Sequence, residues 1–219
     1  MPDGFAALIV DANAFFTELK QNNNKAWYEP RKAHYVSTIR KPAELLADLI
    51  VEDLGRLTGQ RHKPKVFRIH RDVRFSKDKA PYNAHLHMMW SQSGSEDGPM
   101  WFFGSAPNYL TLGMGVITPP GECLTRFRAF IDRDGDKLTD AMDAAHDMIG
   151  AGSGTWGPEP LKRVPKPYDP DHPHGDLLKR KGLTLSASLP DDWRDRGVVP
   201  SLNAQFKAPL PVWSLLGRI

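Results

Sequence analysis

A second cysteine is missing from this sequence, since Cys123 is the only one among 219 residues. A disulfide within the chain is therefore excluded, and this cysteine usage is typical of a reducing compartment. Long apolar runs are missing too, because no segment approaches the roughly 18 apolar residues that cross a bilayer. The start, MPDGFAALIVDANAFF, lacks the basic region and the long apolar core of a signal peptide. We therefore expect a cytoplasmic protein with no membrane partner.

A large excess of either charge is also missing. The 29 Lys and Arg residues exceed the 26 Asp and Glu residues by a net charge of +3, which is too small to attract a long polyanion by global charge alone. Internal repeats and low-complexity tracts are absent, which excludes a solenoid. Hydrophobic residues make up 40% of the chain and charged residues 25%, a mixture typical of globular proteins. Without a break in composition, we predict a single domain over residues 1–219.

Helical periodicity dominates the N-terminal part of the chain. Apolar residues at helical spacing predict one helix over 11–22, capped by Asp11, and another over 43–57. Asn24 is a second candidate cap, and Pro42 is expected to break or kink the chain. After Pro120 the helical period returns around 124–131 and 138–148, which predicts a helical hairpin. The polar segment between these helices, DRDGDKLTDAMD, is interpreted as a turn with Asp136 as N-cap rather than as a calcium loop.

Strand patterns occupy the middle of the sequence. Alternating or apolar runs predict strands at 66–69, 83–90, 100–105 and 109–117, and a further one at 183–189. The first four are joined by connections too short for parallel crossovers, so we expect antiparallel pairing. The sequence thus predicts an α+β fold with a central antiparallel sheet, an N-terminal helical section and helices packed on one face.

The most charged stretch is RIHRDVRFSKDKAPY, from Arg68 to Tyr82. Its guanidinium, ammonium and hydroxyl groups suit the oxygens of a phosphate ester or a carboxylate. Asp72 and Asp78 are weak candidates for a catalytic base or an orienting group. In a purely structural interpretation, the same two acids pair with the bases and hold the loop together. The candidate ligand-binding residues are Arg68, Arg71, Arg74, Ser76, Lys77, Lys79 and Tyr82.

The run FRIHRDVRFSKDKAPY resembles the hallmark of the DUF2461 family of uncharacterised conserved proteins. The similarity extends over nearly the whole chain, through LKQNNNKAWYEPRKAHY, GMGVITPP and LKRVPKPYDPDHPHGDLLKRKGL. It implies an α+β domain but no substrate. Ala80 and Asn83 stand where the family pattern usually has Thr and Lys. If either usual side chain binds the family's ligand, this member binds that ligand more weakly.

No metal or cofactor is predicted. His85 and His87 lie two apart on a predicted strand, so their imidazoles should face the same side, and His70 could lie on the neighbouring strand. A third and a fourth ligand cannot be named, however. Cys123 falls near a predicted helix start, and a small buried filler is the favoured role for it over a nucleophile.

Three interpretations of function remain open at this point. The leading one is the binding of a small anionic ligand by the charged loop, with hydrolase or transferase chemistry possible. The second is a nucleic-acid or protein-binding module, in which Trp27, Trp90 and Trp101 would stack on bases, although core packing is favoured for these rings. The third is a structural salt-bridge network in the loop.

Overall fold

The computed structural model describes residues 4–95, 97–150 and 152–219. Its N-terminal part is helical almost throughout. The consecutive elements are α1 (Ala6–Gln21), α2 (Lys25–Tyr28), a 3₁₀ turn (Glu29–Arg31), α3 (Lys32–Tyr35), a π-helical segment (Val36–Arg40) and α4 (Lys41–Thr58).

The ends of these helices correct two predictions and confirm one. The predicted cap at Asp11 is wrong, because α1 begins at Ala6 and buries Leu8 and Ile9 on the same apolar stripe. The cap at Asn24 is confirmed, since its side chain accepts a hydrogen bond of 3.0 Å from the backbone N–H of Trp27. Pro42 does not break the chain: it follows the π-helical segment Val36–Arg40 within two residues, and the chain is helical on both sides of it.

The sheet has five strands in the order β1-β2-β3-β4-β5, and every neighbouring pair is antiparallel. The predicted α+β class with a central antiparallel sheet is therefore confirmed. β1 lies earlier than predicted, because its HKPKV sequence has the lysines and proline of an exposed edge strand rather than an apolar run. The strands are β1 (His62–Val66), β2 (Leu86–Gln92), β3 (Met100–Ala106), β4 (Tyr109–Val116) and β5 (Leu183–Ser188).

The two helices predicted after Pro120 are present, but they meet at a kink and not at a hairpin turn. Both lie within α5 (Gly121–Ile149), in which Asp134 departs from helical dihedrals and marks the kink. Asp136 therefore lies inside α5 and is not an N-cap. Polar residues around the kink suggested a turn, but Ile131, Leu138 and Ala145 continue one buried stripe through it. The remaining helices are α6 (Gly175–Leu178), α7 (Trp193–Arg196), α8 (Val198–Lys207) and α9 (Leu210–Leu216).

The two faces of the sheet have different environments. On one face Trp90, Trp101 and Met114 lie side by side across β2, β3 and β4 and are fully buried. Helices α1, α4, α8 and α9 contact the sheet and cover this face. The opposite face carries Met89 and Phe102, which are only partly buried. Within the described residues, no helix combines the length and apolar character needed to span a bilayer.

Candidate functional site

The charged loop connects β1 to β2 and is closed at its base by backbone hydrogen bonds. The N–H of Arg71 donates to the carbonyl of Pro81 at 2.9 Å, and the N–H of Asn83 donates to the carbonyl of Ile69 at 2.7 Å. The side chain of Asn23 forms two further bonds, to the N–H and the carbonyl of Tyr82. The loop is thereby attached to the N-terminal helical section.

Two arginine–aspartate pairs organise the loop. Arg71 donates to Asp78 at 2.6 Å and to the carbonyl of Ala80 at 3.0 Å. Asp72 accepts two hydrogen bonds from the Arg74 guanidinium, at 2.9 and 2.6 Å. The Arg74 guanidinium lowers the pKa of Asp72, and the N–H of Ala80 followed by Arg71 lowers the pKa of Asp78. Both acids are thus ionised partners of the arginines at neutral pH.

Few of the other candidate ligand residues are free. Lys79 donates to the carbonyl of Val73 at 3.1 Å. The ring of Tyr82 is buried against Tyr28, with 4.3 Å between ring centroids, so it supports the loop from inside the core. In the part of the chain that the structure describes, the exposed side chains of Arg68 and Lys77 have no ion pair of their own.

The loop tip projects into solvent. Arg74 and Phe75 form it, and Phe75 is 96% exposed. Ser76 follows in a turn in which its N–H donates to the carbonyl of Val73. The family's usual Thr is not needed for the observed contacts at position 80, because the backbone of Ala80 makes them.

A cleft with a volume of about 540 Å³ lies on the open face of the sheet, beside the base of this loop. Phe102 forms its floor, and Trp156 stands against it nearly edge-on, at 5.2 Å between ring centroids and 72° between planes. The 152–160 segment reaches the sheet through a bridge between Gly154 and Ser186. The lining side chains are mostly aromatic or aliphatic, and those used below are Phe67, His87, Met89, Met100, Phe102, Tyr109, Thr111, Trp156 and Ser186.

Two glycines make the floor of the cleft flat. Gly113 pairs with Phe102 in the register of β3 and β4, and a Cβ at this position would lie 2.6 Å from the Phe102 ring. Gly104 pairs with His87, and a Cβ there would lie 3.0 Å from the imidazole and 3.3 Å from the ring of Tyr109. The absence of side chains on these glycines therefore allows the neighbouring rings to lie close to the sheet.

His85, His87 and Tyr109 form a polar row at the edge of the cleft. The two imidazoles are stacked at 3.8 Å, so the prediction that they face the same side is confirmed. Nε2 of His87 lies 2.6 Å from the hydroxyl of Tyr109. Burial, followed by the repulsion of His85, lowers the pKa of His87 to about 4, and burial raises the pKa of Tyr109. Both groups are therefore neutral hydrogen-bonding groups at neutral pH.

Burial and the charge of Arg71 lower the pKa of His85, which links the polar row to the charged loop. His70, in contrast, packs its ring on Tyr28 and Tyr82, away from this pair. No set of three or more potential metal ligands occurs among the described histidine, cysteine and acidic residues.

Basic side chains border the cleft on the side of β1. Lys63 and Lys65 are paired with Ser91 and Met89, so both belong to the open face. The ammonium group of Lys65 lies 4.9 Å from the centre of the Phe67 ring, which lines the cleft. The edge strand β1 thus adds positive charge to the rim of an apolar cleft.

A family model described as conserved hypothetical protein (DUF2461) matches residues 11–214. The chain belongs to this family. The DUF2461 match includes the charged loop and all five strands, so the cleft is built entirely from matched residues. No curated protein matches the DUF2461 chain.

The residues of the cleft floor were not predicted from the sequence. The strands LHMMWSQ and MWFFGSA have apolar residues on both faces, which is typical of a sheet covered on both sides. Because the helices cover one face, the other face is left apolar and accessible. The second interpretation loses support from two tryptophans, since Trp90 and Trp101 are fully buried, while Trp27 packs on Phe15 and Arg31.

Proposed function

We propose that this protein binds a small organic anion whose apolar body lies in the open-face cleft and whose charged group, a carboxylate or a phosphate ester, meets the basic rim. The observation that carries the proposal is the juxtaposition of a cleft of about 540 Å³ with Lys63 and Lys65 on the same face of the sheet, neither of which has an ion pair among the described residues.

The size and lining of the cleft support this proposal. Ligand pockets typically have volumes of about 300–1,000 Å³, apolar walls and a few polar groups that orient the ligand. Met89, Met100, Phe102 and Trp156 provide apolar and polarisable walls here. Tyr109 provides a polar group.

The proposed site lies beside the charged loop rather than within it. Within the loop, the charges of Arg71 and Arg74 are compensated by Asp78 and Asp72. A general base works best with a pKa near the operating pH, and the two aspartates are shifted the other way. We therefore propose ligand binding as the function and give the aspartates a structural role, in agreement with the salt-bridge interpretation of the loop.

A pair of fluorescent probes tests the proposal. Anilinonaphthalene sulfonate is anionic, and anilinonaphthalene is the same apolar body without the charge. We expect both probes to bind, with the sulfonate the tighter of the two, and we expect Phe102→Ser to weaken both. Replacing Lys63 and Lys65 together by Gln should weaken the binding of the sulfonate only, because it removes charge from the rim and leaves the floor intact.

A matched control uses two basic residues outside the cleft. Lys162 and Arg163 are exposed in the 152–173 region, and their joint replacement by Gln should leave both affinities unchanged. The proposal is wrong if Phe102→Ser leaves the affinities unchanged, or if the control weakens the sulfonate as much as the rim variant does. Displacement of the sulfonate by benzoate or by phenyl phosphate then identifies which charged group is preferred.

A further inference from the structure

We infer that the hydroxyl of Tyr109 is the hydrogen-bond donor that orients the ligand in the cleft, held in place by His87, and that the ligand is a flat acid with an oxygen acceptor beside its apolar body. Tyr109 is then the specificity-determining residue of the site. The inference depends on the proposed function, because it concerns the same cleft.

The contact between His87 and Tyr109 joins residues of two strands that are not neighbours. His87 is on β2 and Tyr109 on β4, with β3 between them. Gly104 of β3 lies against both rings and has no side chain to separate them, so Nε2 and the hydroxyl reach 2.6 Å. The two side chains can meet across β3 at this position because the residue between them is a glycine.

The hydrogen bond between His87 and Tyr109 can leave the O–H of Tyr109 free to donate to a ligand. A neutral imidazole has one N–H, and a phenol can donate one hydrogen bond while accepting others. If Nε2 carries the proton, it donates to the Tyr109 oxygen, and the phenolic O–H is free to donate elsewhere. Two hydrogen bonds in the same direction then polarise each other, which strengthens the bond to an acceptor on the ligand.

The orientation of His87 is set by its surroundings rather than by the ligand. Its ring is stacked on His85 at 3.8 Å, and its edge lies against Gly104. Tyr109 is therefore supported by a group that cannot easily turn away. Pre-organisation of this kind reduces the entropy lost on binding and favours one ligand orientation.

The shape of the floor indicates a flat ligand body. The Phe102 ring lies close above Gly113, and Met89 is its neighbour on β2. Trp156 stands nearly edge-on to Phe102 and forms a wall. A planar ring can stack on such a floor, while its carboxylate reaches the rim and Tyr109 at the edge.

Removal of a single hydroxyl tests the inference. In Tyr109→Phe we expect the affinity for anilinonaphthalene sulfonate to fall about tenfold, as for the loss of a hydrogen bond to a charged group. The affinity for uncharged anilinonaphthalene should stay unchanged, because the ring remains. Tyr168→Phe is the matched control, since Tyr168 lies outside the cleft lining and should alter neither value.

The supporting role of His87 has its own readout. His87→Phe should lower the ratio of sulfonate to uncharged affinity, whereas His87→Gln, which keeps an N–H donor, should restore part of it. A general loss of packing would instead lower both affinities together in both variants.

The outcomes separate this inference from the proposed function. If the wild-type protein binds neither probe, the proposed function is wrong and the inference falls with it. If the wild-type protein binds both probes and Tyr109→Phe leaves the ratio unchanged, the proposed function stands and the role of Tyr109 is wrong. A lower ratio in Tyr109→Phe but not in Tyr168→Phe supports the inference.

Discussion

His87 illustrates how one side chain is controlled by its surroundings in this protein. Its imidazole loses solvent on the open face of the sheet, and the stacked ring of His85 adds repulsion to any positive charge on it. As a result, a residue that ordinarily titrates near neutral pH is held neutral beside the proposed ligand site.

The titration of His87 can be predicted with its sign. NMR chemical shifts of the imidazole protons should give a midpoint at about 4, well below the ordinary value of 6.5. In His85→Gln the midpoint should rise, because the repulsive neighbour is gone, but it should stay below 6.5, because burial is the larger cause. A midpoint near 6.5 in the wild-type protein would contradict the burial of this ring.

The same shift affects stability. Since the folded-state pKa of about 4 is lower than the ordinary value of 6.5, the unfolded chain binds more protons between these two values. The free energy of unfolding should therefore decrease as the pH falls through this window. Much of this decrease should disappear in His87→Gln, measured by urea unfolding at several pH values.

Among the elements of the fold, the charged loop contains two arginines, Arg71 and Arg74, that contribute differently to its stability. Arg71 is mostly buried and also binds the Ala80 carbonyl, whereas the Arg74 side chain is 77% exposed. Exposed ion pairs contribute little, because water and salt screen them.

We therefore predict that Arg71→Ala lowers the free energy of unfolding by about 1 kcal/mol, from a lost hydrogen-bonded pair. Arg74→Ala, its matched control, should change the free energy of unfolding much less, because its ion pair is exposed to solvent. Urea unfolding measures both values. Equal effects of the two substitutions would contradict the different roles assigned to the arginines.

A residue from outside the helix, His174, packs against α5 at its kink. Gly135 is buried next to Asp134, the one non-helical residue of α5, and a Cβ at Gly135 would lie 2.3 Å from the His174 ring. His174 in turn meets the carboxylate of Asp136 at 2.9 Å. The segment before β5 is thus packed against the helix at its kink.

Alanine substitutions in α5 should separate this contact from ordinary helix propensity. Gly135→Ala should destabilise the protein by about 1–3 kcal/mol, because the added methyl group overpacks the site. A Cβ added at Gly121 would have no neighbouring atom within 4 Å, so Gly121→Ala should leave the stability of the protein unchanged or raise it. Thermal unfolding compares the two, and a stabilising Gly135→Ala would show that His174 does not occupy the kink.

At the scale of the whole molecule, one hydrophobic core joins the helical section to the sheet. Buried residues from α1, α4, the sheet, α8 and α9 form a single cluster. The indole N–H of Trp90 on β2 donates to the carbonyl of Ala47 on α4 at 2.8 Å within it. From this shared core we predict that the chain folds as a single domain.

We expect the chain to unfold in one cooperative transition. Tryptophan fluorescence reports on the packing around the six tryptophans, of which Trp90 and Trp101 are fully buried in the core, and far-ultraviolet circular dichroism reports on the helices. The two curves should coincide in urea, as they do for a cooperative unit. A separate early transition seen by circular dichroism alone would instead indicate that the helical section is a second domain.

Local patterns were sufficient for part of this architecture. The Asn24 cap, the strands around Trp90 and Trp101, and the antiparallel sheet follow from side-chain type and spacing alone. The kink in α5 could not be predicted, because the polar residues around Asp134 have the composition of a turn. In the structure, His174 from a distant segment packs against this point of the helix. β1 was misplaced because an edge strand can be polar on both faces.

The fold class, the family resemblance and the position of the charged motif can be predicted from the chain alone, because these depend on residue types and on neighbours close in sequence. Three-dimensional packing was needed to show which face of the sheet stays open and that His87 meets Tyr109 across Gly104. The reason is physical: these contacts join residues far apart in sequence, and their distances are set by strand register and helix packing, which no local pattern encodes.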